Sequence, residues 1–364
     1  MNAEDLLASI QIGYRKKSEN NNDFYAWVVN NYKHHKIPIA EKIKQKHDSL
    51  PTKYEESHFY DMITDSFKEL KDIVENYAIH FDGHRLKYRP IPLFGTAEFN
   101  NLSCYVTANQ PVLIFSQALL KLASRVIDLF VQEAAAAIKN GGTLVKSVKD
   151  KYTRNFIDIL YCFLHGIDPY YASPIEFSML ITDDEILEYE YDIYSSVFMF
   201  FAAHEYAHLL LGHLENNYNT QHSEINEVDV EIIQNNWEQE CDADFLGAII
   251  TICKTGIRER NILGIRLAMS IYLLGMLNSD SPTTTHPPIK DRMDTLFELL
   301  KQKNFAVEKS YLVDKVFSPK LIEYYNFISF LSDKVKTTDV PYSTVKHIIY
   351  HEYPIKNERT MENE

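Results

Sequence analysis

VFMFFAAHEYAHLLLGH, residues 197–213, is the stretch on which the reading of this chain turns. Its centre is HExxH: His204, Glu205 and, four residues after the first histidine, His208. Residues four apart share a helix face, so both imidazoles can reach one metal ion. Glu205 lies beside them, where a general base for a metal-activated water belongs. The flanks sharpen the reading, because the motif follows the apolar run Val197–Ala203 and precedes Leu209-Leu210-Leu211. Polar groups inside a buried helix are costly unless something compensates them, and a metal ion does so.

A third ligand is expected downstream. Glu240 and Asp244 form ExxxD, and so do Glu238 and Asp242. Two residues along a helix is a rotation of about 200°, so only one pair can face the metal. We favour Glu240, which places Ala243, Leu246 and Gly247 toward the interior and Glu238 toward water. His204, His208 and Glu240 then make a three-ligand zinc set with one coordination position left for water, the pattern of catalytic zinc. In this frame Asp244 accepts a hydrogen bond from a histidine ring nitrogen and fixes its tautomer. The competing reading of either acidic pair is a solvated helix face. Cys241, rotated from Glu240, reads as a packed thiol. His213 does not fit the longer HExxHxxGxxH pattern. On a continued helix it points about 140° from His208, as a residue behind the ligands or at the surface.

Working outward, the chain has 364 residues, 45% of them hydrophobic and 13% aromatic, enough for a substantial core. The formal net charge of -14 argues against a nucleic-acid partner. Cys104, Cys162, Cys241 and Cys253 form no CxxC pair, which fits a reducing compartment. Residues 1–22 carry no apolar run of signal-peptide type, and the apolar segments Val197–Ala203 and Leu267–Leu277 are too short for a membrane span. A cytoplasmic protein is expected.

Residues 1 to about 85 read as helical around a polar loop at Ser18–Asp23, with apolar spacing over Phe24–Tyr32 and Glu55–Tyr77. Leu102–Thr107 and Val112–Phe115 read as strands around a turn. Ser116 is placed to cap a helix from Gln117 to about Lys139, which Gly141-Gly142 ends. Lys149–Gly166 reads as a helix, and Thr182 with Glu185 as a capping box before a long helix toward His213. Thr220–Val230, acidic, reads as a loop. Helices are expected over about 232–255, 261–278, 288–303 and 319–335, with a surface loop at Ser279–Pro288. His34, His35, His347 and His351 have no ligand spacing, and Tyr189–Tyr194 reads as helix packing.

HEYAHLLLGH, then ECDADFLGA, then THPPIKDR together resemble the gluzincin metallopeptidases, and within them the CAAX prenyl protease and heat-shock membrane protease family. His213, Glu240 to Asp244, and His286-Pro287-Pro288 with Arg292 match that family's pattern in order. Leu102–Leu120 is similar to its hairpin and following helix. The resemblance covers about residues 100–300. It implies an α+β, mostly helical fold with a zincin-like core and a small β-hairpin or sheet before the HExxH helix. The implied division is an N-terminal helical region over 1–90, a core over 91–303 with an insertion at 121–195, and a C-terminal helical extension and tail over 304–364. His286 or Arg292 would lie near the site, stabilising an oxyanion or pairing with Asp244. Tyr206 and Tyr218 are further oxyanion candidates. Leu102–Thr107 would be either a core strand or an exposed edge that accepts a peptide as an added strand. The membrane spans of that family are missing, so a soluble variant acting on a cytosolic protein, of the phage-exclusion type, is the implied form.

The expected activity is zinc-dependent hydrolysis of a peptide bond in a protein or peptide substrate, with Glu205 as base. Two rivals remain at this stage: a zinc-fold regulatory module without turnover, and a metal-dependent amide hydrolase.

Overall fold

The computed structural model describes residues 2–19, 57–77, 79–81, 83–97, 102–141, 146–164, 184–215, 219–225, 228–256, 259–276 and 289–302, with the single positions 169 and 326. The elements in chain order are α1 (Ala3–Glu19), α2 (Ser57–Asn76), β1 (His80–Phe81), β2 (His84–Arg85), β3 (Phe94–Ala97), β4 (Cys104–Val106) and β5 (Val112–Ser116). They continue with α3 (Gln117–Lys139), α4 (Lys146–Leu164), α5 (Asp184–Leu210), β6 (Asn219–Ile225), β7 (Val228–Gln234), α6 (Trp237–Thr255), α7 (Glu259–Met276) and α8 (Ile289–Gln302). The class is α+β and mostly helical, as expected. Among the described residues no helix is long and apolar enough to cross a membrane.

A five-stranded sheet runs in the order β3-β5-β4-β7-β6. Strand β5 shows why it forms. Its run Val112-Leu113-Ile114-Phe115 is wholly buried, which is what a strand covered on both faces requires. Alternate side chains then go to different cores. Leu113 and Phe115 join the main helical core, whereas Val112 and Ile114 join a smaller one with Leu6, Leu7 and Ile10 of α1. Helix α1 thus covers one face of the sheet and the other helices the opposite face. Gly95 permits the approach of α1, since a Cβ there would stand 2.7 Å from a Leu7 methyl.

Strand β5 leads directly into α3, whose N-cap is Ser116, its hydroxyl accepting from the backbone of Leu119 at 3.1 Å. The expected cap and both expected strands are present. Other expectations change. Strand β4 pairs with β5 on one side and β7 on the other, so it is an inner strand and not an edge open to a peptide. Residues 80–85, expected helical, form the small hairpin β1–β2 around Gly83, whose φ is 76°. Thr220–Val230, expected as a loop, is the greater part of hairpin β6–β7. In consequence the helix expected from about 232 begins at Trp237. The physical reason lies in Val228-Asp229-Val230-Glu231-Ile232, an apolar–polar alternation that suits a half-buried strand. The segments Phe24–Tyr32 and 319–335, the loop Ser279–Pro288 and the capping pair at Thr182 lie outside the described residues, as do His34, His35, His347 and His351.

Helix α5 is the axis of the molecule, packed against α2, α3, α6 and α7. Residues Val197 through Ala203 are all buried, which explains the apolar flank of the motif. Two close approaches set its neighbours. A Cβ on Gly247 of α6 would lie 3.0 Å from the backbone of His204, and one on Gly264 of α7 would lie 2.6 Å from Cβ of Ser196.

Candidate metal centre

The last turns of α5 carry His204, Glu205 and His208, and the first turns of α6 carry Glu240 and Asp244. The link between the two helices is the β6–β7 hairpin. Strand β7 ends at Gln234, and Asn236 caps α6 through a reciprocal box with Gln239. The cap fixes the first turn, so Glu240 is held at a set height opposite the histidines.

The Nε2 atoms of His204 and His208 stand 3.3 Å apart. The Glu240 carboxylate lies 3.7 Å from His204 Nε2 and 3.6 Å from His208 Nε2. All three residues are buried, and their ligand atoms lie within 4.8 Å of one another, so the group can hold a metal ion. The spacing suits one. Two nitrogens each about 2.0–2.1 Å from a tetrahedral ion stand roughly 3.3–3.4 Å apart. Glu238, in the competing frame, is exposed.

Behind the ligands stands a second layer of partners. Asp244 Oδ1 is 3.0 Å from His204 Nδ1, a close electrostatic contact whose N–H direction is not aligned for a full hydrogen bond. His208 Nδ1 is 2.9 Å from His213 Nδ1. His213 therefore stands behind a ligand histidine, one of the two expected positions, although the wheel angle does not hold because α5 ends at Leu210. A turn through Gly212, with φ of 76°, brings the ring back to His208. Arg292 of α8 grips Asp244 with two bonds, Nε to Oδ2 at 2.7 Å and Nη2 to Oδ1 at 2.8 Å, and reaches Glu240 Oε2 with Nη1 at 3.1 Å. Asn235 donates to the other Glu240 oxygen at 3.1 Å. Of the two placements the family resemblance implied for Arg292, the structure puts it on Asp244. His286 and Tyr218 lie outside the described residues.

With every carboxylate ionised and both imidazoles neutral, the charges do not balance within the protein. Glu205, Glu240, Asp244 and Arg292 are exposed by only 6, 3, 1 and 2%, so three carboxylates face a single guanidinium. Ionised, they leave a buried net charge of -2, which burial penalises heavily. A divalent cation between the imidazoles offsets it. Burial, with Glu240 adding to it, pushes the Glu205 carboxyl up to about 7 against the opposing pull of His204 and Arg292. The two histidines diverge. Burial lowers His208 well below the ordinary range, whereas for His204 the Asp244, Glu240 and Glu205 carboxylates outweigh burial and raise it. Burial brings His213 down to about 4, so its ring is neutral at pH 7 and able to accept from His208.

Sequence reasoning missed three contributors. Tyr105 of β4 donates to the carbonyl of Glu205 at 2.8 Å, tying the sheet to the motif. Asn235 steadies Glu240. Tyr272 of α7 is buried with its ring 5.7 Å from that of His204. Its only sequence signal was a tyrosine within the apolar run Leu267–Leu277. Tyr206, by contrast, donates to the carbonyl of Arg89 at 3.0 Å and accepts from its N–H at 3.2 Å. Two residues on from His204 it faces the opposite side of α5, so its hydroxyl braces the segment before β3 and is not an oxyanion donor.

Fold and site together define a class: an α+β protein with a buried His-His-Glu cluster that can hold a metal ion, backed by an Asp–Arg pair. Comparison with known families adds that the model of a family described as Peptidase U49 matches residues 166–311. The matched span contains His204, Glu205, His208, Glu240, Asp244 and Arg292, and the similarity supports a peptidase, whose substrate is a protein or peptide. No curated protein and no solved structure matches the chain.

Proposed function

We propose that this chain is a zinc-dependent endopeptidase that cleaves a peptide bond of a cytosolic protein. The observation that carries the reading is the convergence of His204 Nε2, His208 Nε2 and the Glu240 carboxylate from two helices, beside Glu205. Two imidazoles and one carboxylate are a donor set of catalytic zinc. Zinc so held would bring the ionisation of water toward neutral pH and polarise a carbonyl.

The protein groups divide the remaining work. Glu205 takes a proton from the attacking water as the water oxygen bonds to the peptide carbonyl carbon. Glu205 then gives that proton to the nitrogen as the C–N bond breaks, so a carboxylic acid and an amine leave. Asp244 and His213 hold the Nδ1 side of their histidines and turn each Nε2 inward. Arg292 and Asn235 keep the Glu240 carboxylate from rotating. By resemblance His286 belongs at the same cleft, as a partner for the oxyanion, and residues 91–303 form the zincin-like catalytic unit.

The test compares wild-type protein with Glu205→Gln. Cell lysate is treated with each, and new protein N-termini are identified by mass spectrometry. New termini from wild type alone, with equal zinc in both proteins, support the reading. Identical termini from both remove Glu205 as base, and no new termini from either remove the peptidase.

A further inference from the structure

We propose that Tyr272 is the hydrogen-bond donor to the substrate carbonyl oxygen as negative charge builds on it. The proposal rests on the peptidase reading above and adds to it an oxyanion donor besides His286.

Three observations carry it. The first is placement. Gly264 lets α7 approach α5 at Ser196. Two turns further along both helices, Tyr272 meets His204. Its ring is wedged by Phe201 at 4.8 Å, His204 at 5.7 Å and Phe200 at 6.3 Å, so it has little freedom to swing away. The second is surroundings. Tyr272 lies in the field of Glu205, Arg292, Asp244 and Glu240, the ionisable groups of the metal centre. The third is an unused donor. The Tyr272 hydroxyl is buried and has no hydrogen-bond partner among the described residues. Three other tyrosines, on α5 or bonded to it, have occupied hydroxyls: Tyr105 on the carbonyl of Glu205, Tyr206 on that of Arg89, Tyr194 on that of Ser124.

An unsatisfied buried hydroxyl costs about 1–3 kcal/mol. Such a cost is common where a group is held ready for a partner that arrives with substrate. A phenol O–H is a hydrogen-bond donor at neutral pH. Aromatic walls exclude water from the ring and strengthen the bond it makes to a developing anion.

The experiment uses full-length zinc-loaded wild type, Glu205→Gln and Tyr272→Phe. The substrate is an internally quenched peptide spanning a bond that wild type cuts in lysate. Loss of one oxyanion donor predicts a fall in kcat of about 10²–10³-fold, with KM and bound zinc unchanged. A second readout, in metal-free protein, is thermal stability. Removing an unpaired hydroxyl predicts a Tm equal to or above wild type. Wild-type kcat in Tyr272→Phe overturns the proposal and leaves the peptidase standing. Lost activity together with lowered Tm or lost zinc also overturns it, since Tyr272 is then structural. A wild type that cuts no more than Glu205→Gln overturns the peptidase reading and this role with it.

Discussion

Gly247 presses on the backbone of His204: a methyl group at position 247 would stand 3.0 Å from both the Cα and the N of that histidine. The contact sets the gap between the two helices that carry the ligand atoms. Gly247→Ala should force the helices apart, at a cost of about 1–3 kcal/mol for overpacking. Zinc affinity should fall with it, because Glu240 is carried on the displaced helix. Calorimetric zinc titration and thermal melts check this, and unchanged affinity would mean that the helices yield without moving the ligands.

Glu240→Ala should abolish stoichiometric zinc, whereas Glu238→Ala should leave it intact. Glu240 is 3% exposed and faces both imidazoles, while Glu238 is on the wet side of the same helix. Metal analysis of the purified variants decides it. The reverse pattern would shift the ligand set by two residues.

His213→Ala should weaken zinc binding by about 10–100-fold while leaving the fold in place. The ring at 213 fixes the tautomer of His208 from 2.9 Å away. A loss confined to turnover, with zinc affinity unaltered, would instead make His213 a substrate contact.

The Asp244–Arg292 pair makes a pH-dependent contribution whose sign is fixed. Burial pushes the Asp244 carboxyl up, but Arg292 and the His204 ring outweigh it and hold the group below the usual range. Stability from a lowered carboxyl is present above its unfolded value, about pH 3.9, and is lost as pH falls through the folded value. Asp244→Asn should therefore cost about 3–5 kcal/mol at pH 7, the usual range for breaking a buried pair. The gap should shrink as pH drops below about 3.9. Urea melts of metal-free protein across pH measure it, and a gap that does not change with pH would contradict it.

Removal of zinc by a chelator should lower Tm without unfolding the helices. A ligand at about 1,000 times its Kd adds roughly 4 kcal/mol to the folded state. Circular dichroism melts with and without chelator read the difference, and equal Tm values would show that no metal was bound.

Much of the helical frame was legible because its signals are local. Ser116 before an apolar run is a cap wherever it occurs, and the spacing of His204, Glu205 and His208 describes a helix face directly. The hairpin β6–β7 was misread because its charges drew attention from the alternation in Val228–Ile232. That His213 lies behind the histidine pair was legible, but its route there was not, because a wheel drawn through residues 204–213 assumes that the helix continues, whereas Gly212 turns the chain. Arg292 on Asp244 and Tyr272 beside His204 are long-range meetings, and no local pattern encodes which helix will arrive at a given face. The inner position of β4 is of the same kind, for strand order depends on a partner more than 100 residues away.

Strand β7 is anchored to the sheet at one end and to the metal centre at the other. The carbonyl of Glu231 receives the N–H of Thr107, while Asn235 and Asn236, just beyond the strand, hold Glu240 and the start of its helix. Sheet register and ligand geometry are therefore one mechanical quantity. A residue added or lost between 231 and 240 would rotate the glutamate off its target. Evolution of this scaffold should forbid indels along residues 232–239, the tether between them.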